Sequence, residues 1–401
     1  MQVFGLLLSL FAIVVLVARR VDYGLALLVG AFILGIFSQL NLQEFVEVSL
    51  LTFTDPSTLD LVLIVSLIPI LASCMKETGM VDGLIASIKE VLSGRAVLMT
   101  LPALMGALPM MGGALLSAPL IDDEAERLGL SSEERSLINV WFRHWNFFVY
   151  PLSSVLILLA SLTRINIYVL ILTQFPPVLI YLLLGYIVSI RGVKEDETER
   201  KRDLGTLLLV LLNVSPILIA IALNSIGVHM AAALTAAVAF IFLFKKVSPR
   251  RALALLRQGF SWKLPFAMVA VMFLRHMIEY SNSVPAVIPY MESMGLPTNL
   301  LLILMTWVIG LVTAMPTASI AIVFPIALNM IKNIDAIFVS ILYITMIFSY
   351  LVSPMHLCLI LTVEYYKSRL HAVYRKFIPA SLIAYLISLV IMSSIWSSQI
   401  L

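Results

Sequence analysis

Residues Ala96–Ile121 read AVLMTLPALMGALPMMGGALLSAPLI, with no charge anywhere in the run. As one helix the stretch would reach ~39 Å at ~1.5 Å per residue, enough to cross a bilayer. Pro102, Pro109 and Pro119 interrupt it, and Gly112 and Gly113 lie past its middle. Three prolines and a glycine pair predict two short helical arms meeting at a turn. In lipid such a break is tolerated where protein or a water-filled cavity covers the freed backbone groups. Carriers build binding sites in this way. A single kinked transmembrane helix is the competing reading.

The rest of the chain sets the class. Its 401 residues are 61% apolar and 12% charged, against about 25% charged in an average soluble protein. Apolar runs of bilayer length recur throughout, which excludes a soluble domain with a single anchor. The net charge of +3 gives no reason to expect nucleic acid. Cys74 and Cys358 both lie in apolar segments, so no disulfide framework, zinc cluster or other metal site is implied. The first apolar run starts at Val3 and is followed, not preceded, by Arg19 and Arg20. That order predicts a retained first helix rather than a cleaved signal peptide.

The apolar segments are 3–18, 23–40, 59–75, 96–121, 140–161 and 166–190, then 204–223, 229–244, 264–280, 299–331, 337–361 and 377–396. Between the two sets lies the charged linker Arg191–Asp203, RGVKEDETERKRD. A shift of roughly 203 residues lays one set on the other, and smaller features follow it. Met75-Lys76-Glu77 answers Met277-Ile278-Glu279, the Gly106–Pro119 region answers Leu311–Pro325, and Val149-Tyr150-Pro151 answers Val352-Ser353-Pro354. The order points to an internal duplication. Positive-inside counting then favours re-entrant hairpins at 96–121 and 299–331. With both termini outside, the inner loops hold Arg19, Arg20, Lys76, Lys89, Arg95, the linker and the Lys245–Lys263 cluster, and the outer loops keep Arg164 and Lys332. The expected fold is an all-α polytopic membrane protein of two inverted repeats, 1–190 and 204–401. Each has about five transmembrane helices and one re-entrant helical hairpin. A multi-pass place in the cell (cytoplasmic) membrane follows.

No GxxxxGK[ST] run is present, so a nucleotide motor is not expected. No HExxH or G-x-S-x-G run points to a hydrolase, and no catalytic residue is assigned. The chemistry that remains is binding. At the first tip Gly112, Gly113 and Ser117 let a ligand approach the backbone, and at the second Thr313, Thr317 and Ser319 do so. Close helix packing is the alternative for such small residues. The segment after each hairpin carries a proline among polar groups, which nominates Asn146, Ser153, Ser154, Ser353 and His356 as facing the tips. Charges at membrane depth default to function, and Arg275 is the candidate for a carboxylate, unless it snorkels or neutralises Glu279 one turn away. Arg143 and His144 sit near the inner boundary, where a topological anchor is the plainer account. His144, His276 and Glu279 are candidates for a coupling ion, because histidine titrates near neutral pH.

The Pro-rich Met-Gly-Gly-Ala-Leu-Leu-Ser-Ala-Pro run resembles that of an uncharacterised family of prokaryotic integral membrane proteins related to gluconate permeases in the ion transporter superfamily. The likeness covers nearly the whole chain, mostly as a hydropathy pattern. It implies a homodimeric, elevator-type carrier of carboxylates or other anions, coupled to protons or sodium and needing no other cofactor. The sodium-coupled dicarboxylate branch carries Ser-Asn-Thr at its tips, whereas the tips here read Met-Gly-Gly-Ala and Pro-Thr-Ala-Ser. The leading expectation is thus a secondary transporter of a small organic anion. A cation/proton antiporter and a membrane enzyme or non-transporting scaffold are the alternatives.

Overall fold

The structure, a computed structural model, describes residues 1–108, 116–194, 204–286, 289, 295, 297–331 and 334–400. Gly112, Gly113 and most of the charged linker lie outside the described residues. The first half holds α1 (Gln2–Ala18), α2 (Tyr23–Phe37), α3 (Leu42–Thr54), α4 (Pro56–Glu77), α5 (Met80–Val91), α6 (Gly94–Ala107), α7 (Asp122–Arg127), α8 (Ser132–Arg143), α9 (Asn146–Val149), α10 (Ser154–Thr163) and α11 (Ile167–Gly185). The second holds α12 (Leu204–Ser225), α13 (Met230–Phe244), α14 (Pro249–Gly259), α15 (Lys263–Tyr280), α16 (Thr298–Thr313), α17 (Pro316–Met330), α18 (Ala336–Val352), α19 (Leu357–Tyr366) and α20 (Leu370–Ile400). No strand occurs among the described residues. Six spans are long and apolar enough to cross a membrane: Pro56–Glu77, Ser132–Thr163, Ile167–Ile190, Leu204–Ser225, Ala336–Tyr366 and Leu370–Ile395. This is an all-α, multi-pass membrane protein.

Short polar residues set the helix starts. Asp22 accepts from the amides of Gly24 and Leu25, and Asp55 from that of Ser57. Asn41 with Glu44 and Ser131 with Glu134 form capping boxes, which satisfy otherwise orphaned amides. The prolines act in two ways. Pro102 and Pro325 lie inside α6 and α17, so neither ends its helix. Pro151 and Pro354 coincide with real breaks, because the residue before proline is driven to extended backbone. Tyr150 (ψ 112°) and Ser353 (ψ 135°) both adopt it.

Burial sorts the helices into an inner and an outer layer. In the most apolar stretch of Ala336–Tyr366, 94% of residues are buried, against 28% for Ile167–Ile190 and for Leu204–Ser225. An apolar helix exposed on one side belongs against lipid, and one buried all round belongs in the core. Phe4, Leu7, Phe11, Leu172, Leu183, Leu208 and Leu211 are exposed accordingly. α16 and α17 pack on each other across the two-residue link Ala314-Met315. This is a helical hairpin, and α17 is buried almost throughout from Pro316 to Ala327. Its returning arm is therefore covered by protein, as a re-entrant arm requires.

Contacts recur in matched pairs. α1 packs on α2 as α12 does on α13. α2 packs on α15 as α13 does on α4. α4 packs on α14 as α15 does on α3, and α6 on α8 as α16 does on α18. α4 meets α15, and α11 meets α20.

Candidate functional site

Two interrupted helices, α8–α10 and α18–α19, each fasten the end of an apolar helix, α6 in the first half and α16 in the second. The last carbonyls of a helix lack intrahelical partners, and the broken segments supply them. Asn146 Nδ2 donates to the Gly106 carbonyl at 2.7 Å and Trp145 Nε1 to that of Ala103 at 3.0 Å. In the second half Ser353 Oγ donates to the Leu311 carbonyl at 2.6 Å. Both contacts depend on a glycine. A Cβ on Gly106 would collide with the Arg143 carbonyl, and one on Gly310 with Ser349 Oγ, with the Met346 carbonyl 3.1 Å away. Sequence reasoning singled out neither glycine. The available signal was that they correspond under nearly the same shift that aligns the two halves.

The two breaks also meet. His144 Nε2 lies 3.2 Å from His356 Nε2 and 3.2 Å from the Tyr350 hydroxyl. Tyr343 donates to the Phe147 carbonyl at 2.6 Å and Tyr374 to that of Ser353 at 2.8 Å. Both histidines are buried.

A cavity of about 620 Å³ opens at the first break. Its walls include Arg143, His144, Asn146, Ser153, Ser154 and Cys358 from the broken helices, with Gly106 of α6 and Leu116. Lys76 and Glu77 at the end of α4, and Lys263 at the start of α15, stand at its other side. Arg143 Nη1 reaches Ser117 Oγ at 3.3 Å. The named side chains carry three cations against one carboxylate, so the local field favours an anion. A second cavity, of about 480 Å³, lies near the opposite end of α4. It is walled by Ser57, Asp60 and Ile64 of α4 and by Ile157, Ala160 and Ser161 of α10. The first cavity touches the other ends of these helices, at Pro69–Glu77 and Ser153–Ser154. α4 and α10 thus share a seam with a cavity toward each end.

The sequence-nominated residues among the described ones divide into four groups. Asn146, Ser153, Ser154 and His144 line the first cavity, with Ser117 at Arg143. Thr313 and Ser319 hydrogen-bond each other at 2.8 Å in a buried, closed tip, and Thr317 is half-buried on the first turn of α17. Ser353 and His356 hold the second break together. Arg275, His276 and Glu279 form a separate charge cluster that does not line either cavity. Arg275 Nε pairs with Glu279 at 2.9 Å, and His276 Nε2 stands 3.5 Å from Asp55. Burial works against the Asp55 carboxylate. The Ser57 hydroxyl and amide, then His276 and Arg275, outweigh it and hold the group below the usual carboxylate range. Arg143, which the sequence places at a boundary as an anchor, instead turns to the cavity.

No curated protein matches the chain. A family model described as "Protein of unknown function (DUF401)" matches residues 3–395. With nearly its whole length matched, the chain belongs to that family.

Proposed function

We propose that the protein is a secondary transporter of a small organic anion, working by alternating access along the α4–α10 seam. The observation that carries this reading is Arg143 at the wall of the 620 Å³ cavity, beside the polar groups of a broken helix. A guanidinium with Asn146, Ser153 and Ser154 nearby offers a carboxylate charge, planar donors and hydroxyls at once. The second cavity, near the other end of the same two helices, supplies the opposite access point. The matched contacts of the two halves support an inverted-repeat design with opposed hairpins. Likeness to gluconate permeases adds an elevator-type movement, a homodimer and coupling to protons or sodium. Lys76 and Lys263, which line the first cavity, support a cytoplasmic exposure of that cavity and, with it, termini on the outer side.

A cation/proton antiporter needs a buried carboxylate left for the transported ion. Of the two acids in the Arg275 cluster, Glu279 is paired with Arg275 and Asp55 lies beside His276. The anion reading is therefore preferred. It is tested by thermal-shift screening of purified protein against organic anions, with and without sodium and at two pH values. Counterflow of a labelled hit in proteoliposomes follows. Saturable, gradient-driven counterflow is expected. Gradient-independent flux at channel rates, or a chemically altered solute, would overturn the reading.

A further inference from the structure

The two helix breaks bring three nitrogen and sulfur donors together. One ring nitrogen of His144, one of His356 and Cys358 Sγ all lie within 4.8 Å of one another, and the two Nε2 atoms are 3.2 Å apart. The backbone fixes both imidazoles. His144 Nδ1 stands 2.6 Å from the Val140 carbonyl, and His356 Nδ1 stands 3.2 Å from the Leu351 carbonyl. A carbonyl oxygen only accepts, so in each hydrogen bond the Nδ1 carries the proton. Each neutral ring then presents Nε2 as a bare lone pair. Two such lone pairs face each other at 3.2 Å inside the protein. Tyr350 has one hydroxyl proton and sits 3.2 Å from His144 Nε2, so it can serve His144 and leaves the His356 lone pair to be met otherwise. Facing lone pairs in a buried place call for a cation between them.

The same arrangement is how metal-ligating histidines are held: the far ring nitrogen donates to a carbonyl, which orients the near one toward the ion. Two imidazoles and a thiol suit zinc and its neighbours, and suit sodium, magnesium and calcium poorly, since those take oxygen. We propose that His144, His356 and Cys358 form a binding site for a borderline-soft divalent metal ion of the zinc class. His144 and Cys358 both line the 620 Å³ cavity, which gives the ion its way in. Three protein ligands leave a fourth position, and Tyr350 Oη, 3.9 Å from Cys358 Sγ, or a water can fill it. Arg143, which lines the same cavity as Cys358, repels an arriving cation. The site is accordingly weaker than a closed structural zinc site. An ion held here would tie the first-half break to the second-half break, across 212 residues of sequence.

The inference does not rest on transport, and its test is read without any substrate. Purified full-length protein in detergent, free of affinity tag and carrying Cys74→Ala, has Cys358 as its one thiol. Titration with Cd2+ should develop a thiolate-to-cadmium ultraviolet band that saturates at one ion per chain, and Zn2+ should displace it. Sodium and magnesium should not. Cys358→Ser should abolish the band. His144→Gln and His356→Gln should each weaken binding more than about tenfold, since changes one shell further out already cost roughly that much. A band that fails to saturate at one ion, or that both histidine variants leave unaltered, would overturn the site. If those variants do not elute as folded protein, maleimide labelling of Cys358 in the Cys74→Ala chain decides. Zn2+ should slow the labelling and a chelator should restore it, and unchanged labelling refutes the proposal.

Discussion

The first-half break around Arg143–Ser153 and the second-half break around Ser353–His356 use the same backbone device. Each extends at the residue before a proline, and each caps the end of an apolar helix, α6 or α16. The Arg143 carbonyl faces Gly106 where the Met346 carbonyl faces Gly310. Their side chains differ. Arg143 opens onto a cavity with Asn146 beside it, whereas Met346 is buried and Ser349 fills the space next to Gly310. Thr313 and Ser319 close the second tip on each other. The two halves thus each supply a break, and side-chain chemistry makes a polar chamber of one and a packed joint of the other. Function on such a scaffold has to be argued from each half separately.

The sharpest test of that contrast sets Arg143 against Arg275. Arg143→Gln should cost about 1.5–3 kcal/mol of anion affinity, roughly 10- to 150-fold, because a hydrogen bond to a charged group is lost. Arg275→Gln, in the cluster with Glu279, should leave anion affinity within about threefold while lowering thermal stability slightly, since it breaks an ion pair with an exposed carboxylate. Affinity from isothermal titration with the best anion, and melting temperature without it, separate the two effects. An Arg275 variant that loses anion binding while Arg143→Gln retains it would reverse the assignment.

The paired glycines probe the backbone part of the comparison. Gly106→Ala meets a backbone carbonyl that cannot swing aside, so destabilisation at the upper end of about 1–3 kcal/mol is expected for overpacking. Gly310→Ala meets a serine hydroxyl first, which can rotate away, so its cost should fall near the lower end of about 1–3 kcal/mol. Denaturation midpoints measured side by side check the order. The hydroxyl pair at the closed tip gives a smaller effect. Thr313→Val and Ser319→Ala should each cost about 0.5–1.5 kcal/mol of stability, with strong coupling in the double variant. Neither should alter anion affinity, whereas Ser153→Ala at the open break should lower it.

The breaks were legible in the sequence because proline acts locally: it removes a donor and extends the residue before it, whatever surrounds it. Asn146, Ser153 and Ser154 were readable for the same reason, as polar groups beside such a proline. Arg143 and Arg275 were harder to separate. Both are cations at the edge of apolar segments, and whether such a side chain snorkels outward or folds into a cavity depends on neighbours distant in sequence. The one local clue was Glu279, four residues after Arg275, which now proves to be its partner at 2.9 Å. The meeting of His144 with His356 and Cys358 had no local signature, since it arises from the packing of two helices from different halves.

The Arg275–Glu279 region offers a last, smaller test, through Asp55. This carboxylate caps α4, accepts from Ser57 and lies 3.5 Å from His276 Nε2. Its native pKa is held below the ordinary carboxylate value. The unfolded chain therefore takes up the proton first as pH drops, and the folded state loses the group's contribution progressively from the ordinary carboxylate pKa down through the lower native one. Above the ordinary value the contribution is fully present. The melting temperature of the native chain should thus fall on acidification more steeply than that of Asp55→Asn. Asparagine still caps a helix well, so the variant removes the charge while keeping the start of α4. The difference in slope should be modest, because the group is partly solvated and part of any pairing is screened. Anion affinity at neutral pH should be the same in both chains if this cluster holds structure while the Arg143 cavity holds the ligand. Equal slopes with unequal affinities would mean that the Asp55–Arg275 cluster serves the ligand after all, and the assignment of the ligand to the Arg143 cavity would have to be redrawn.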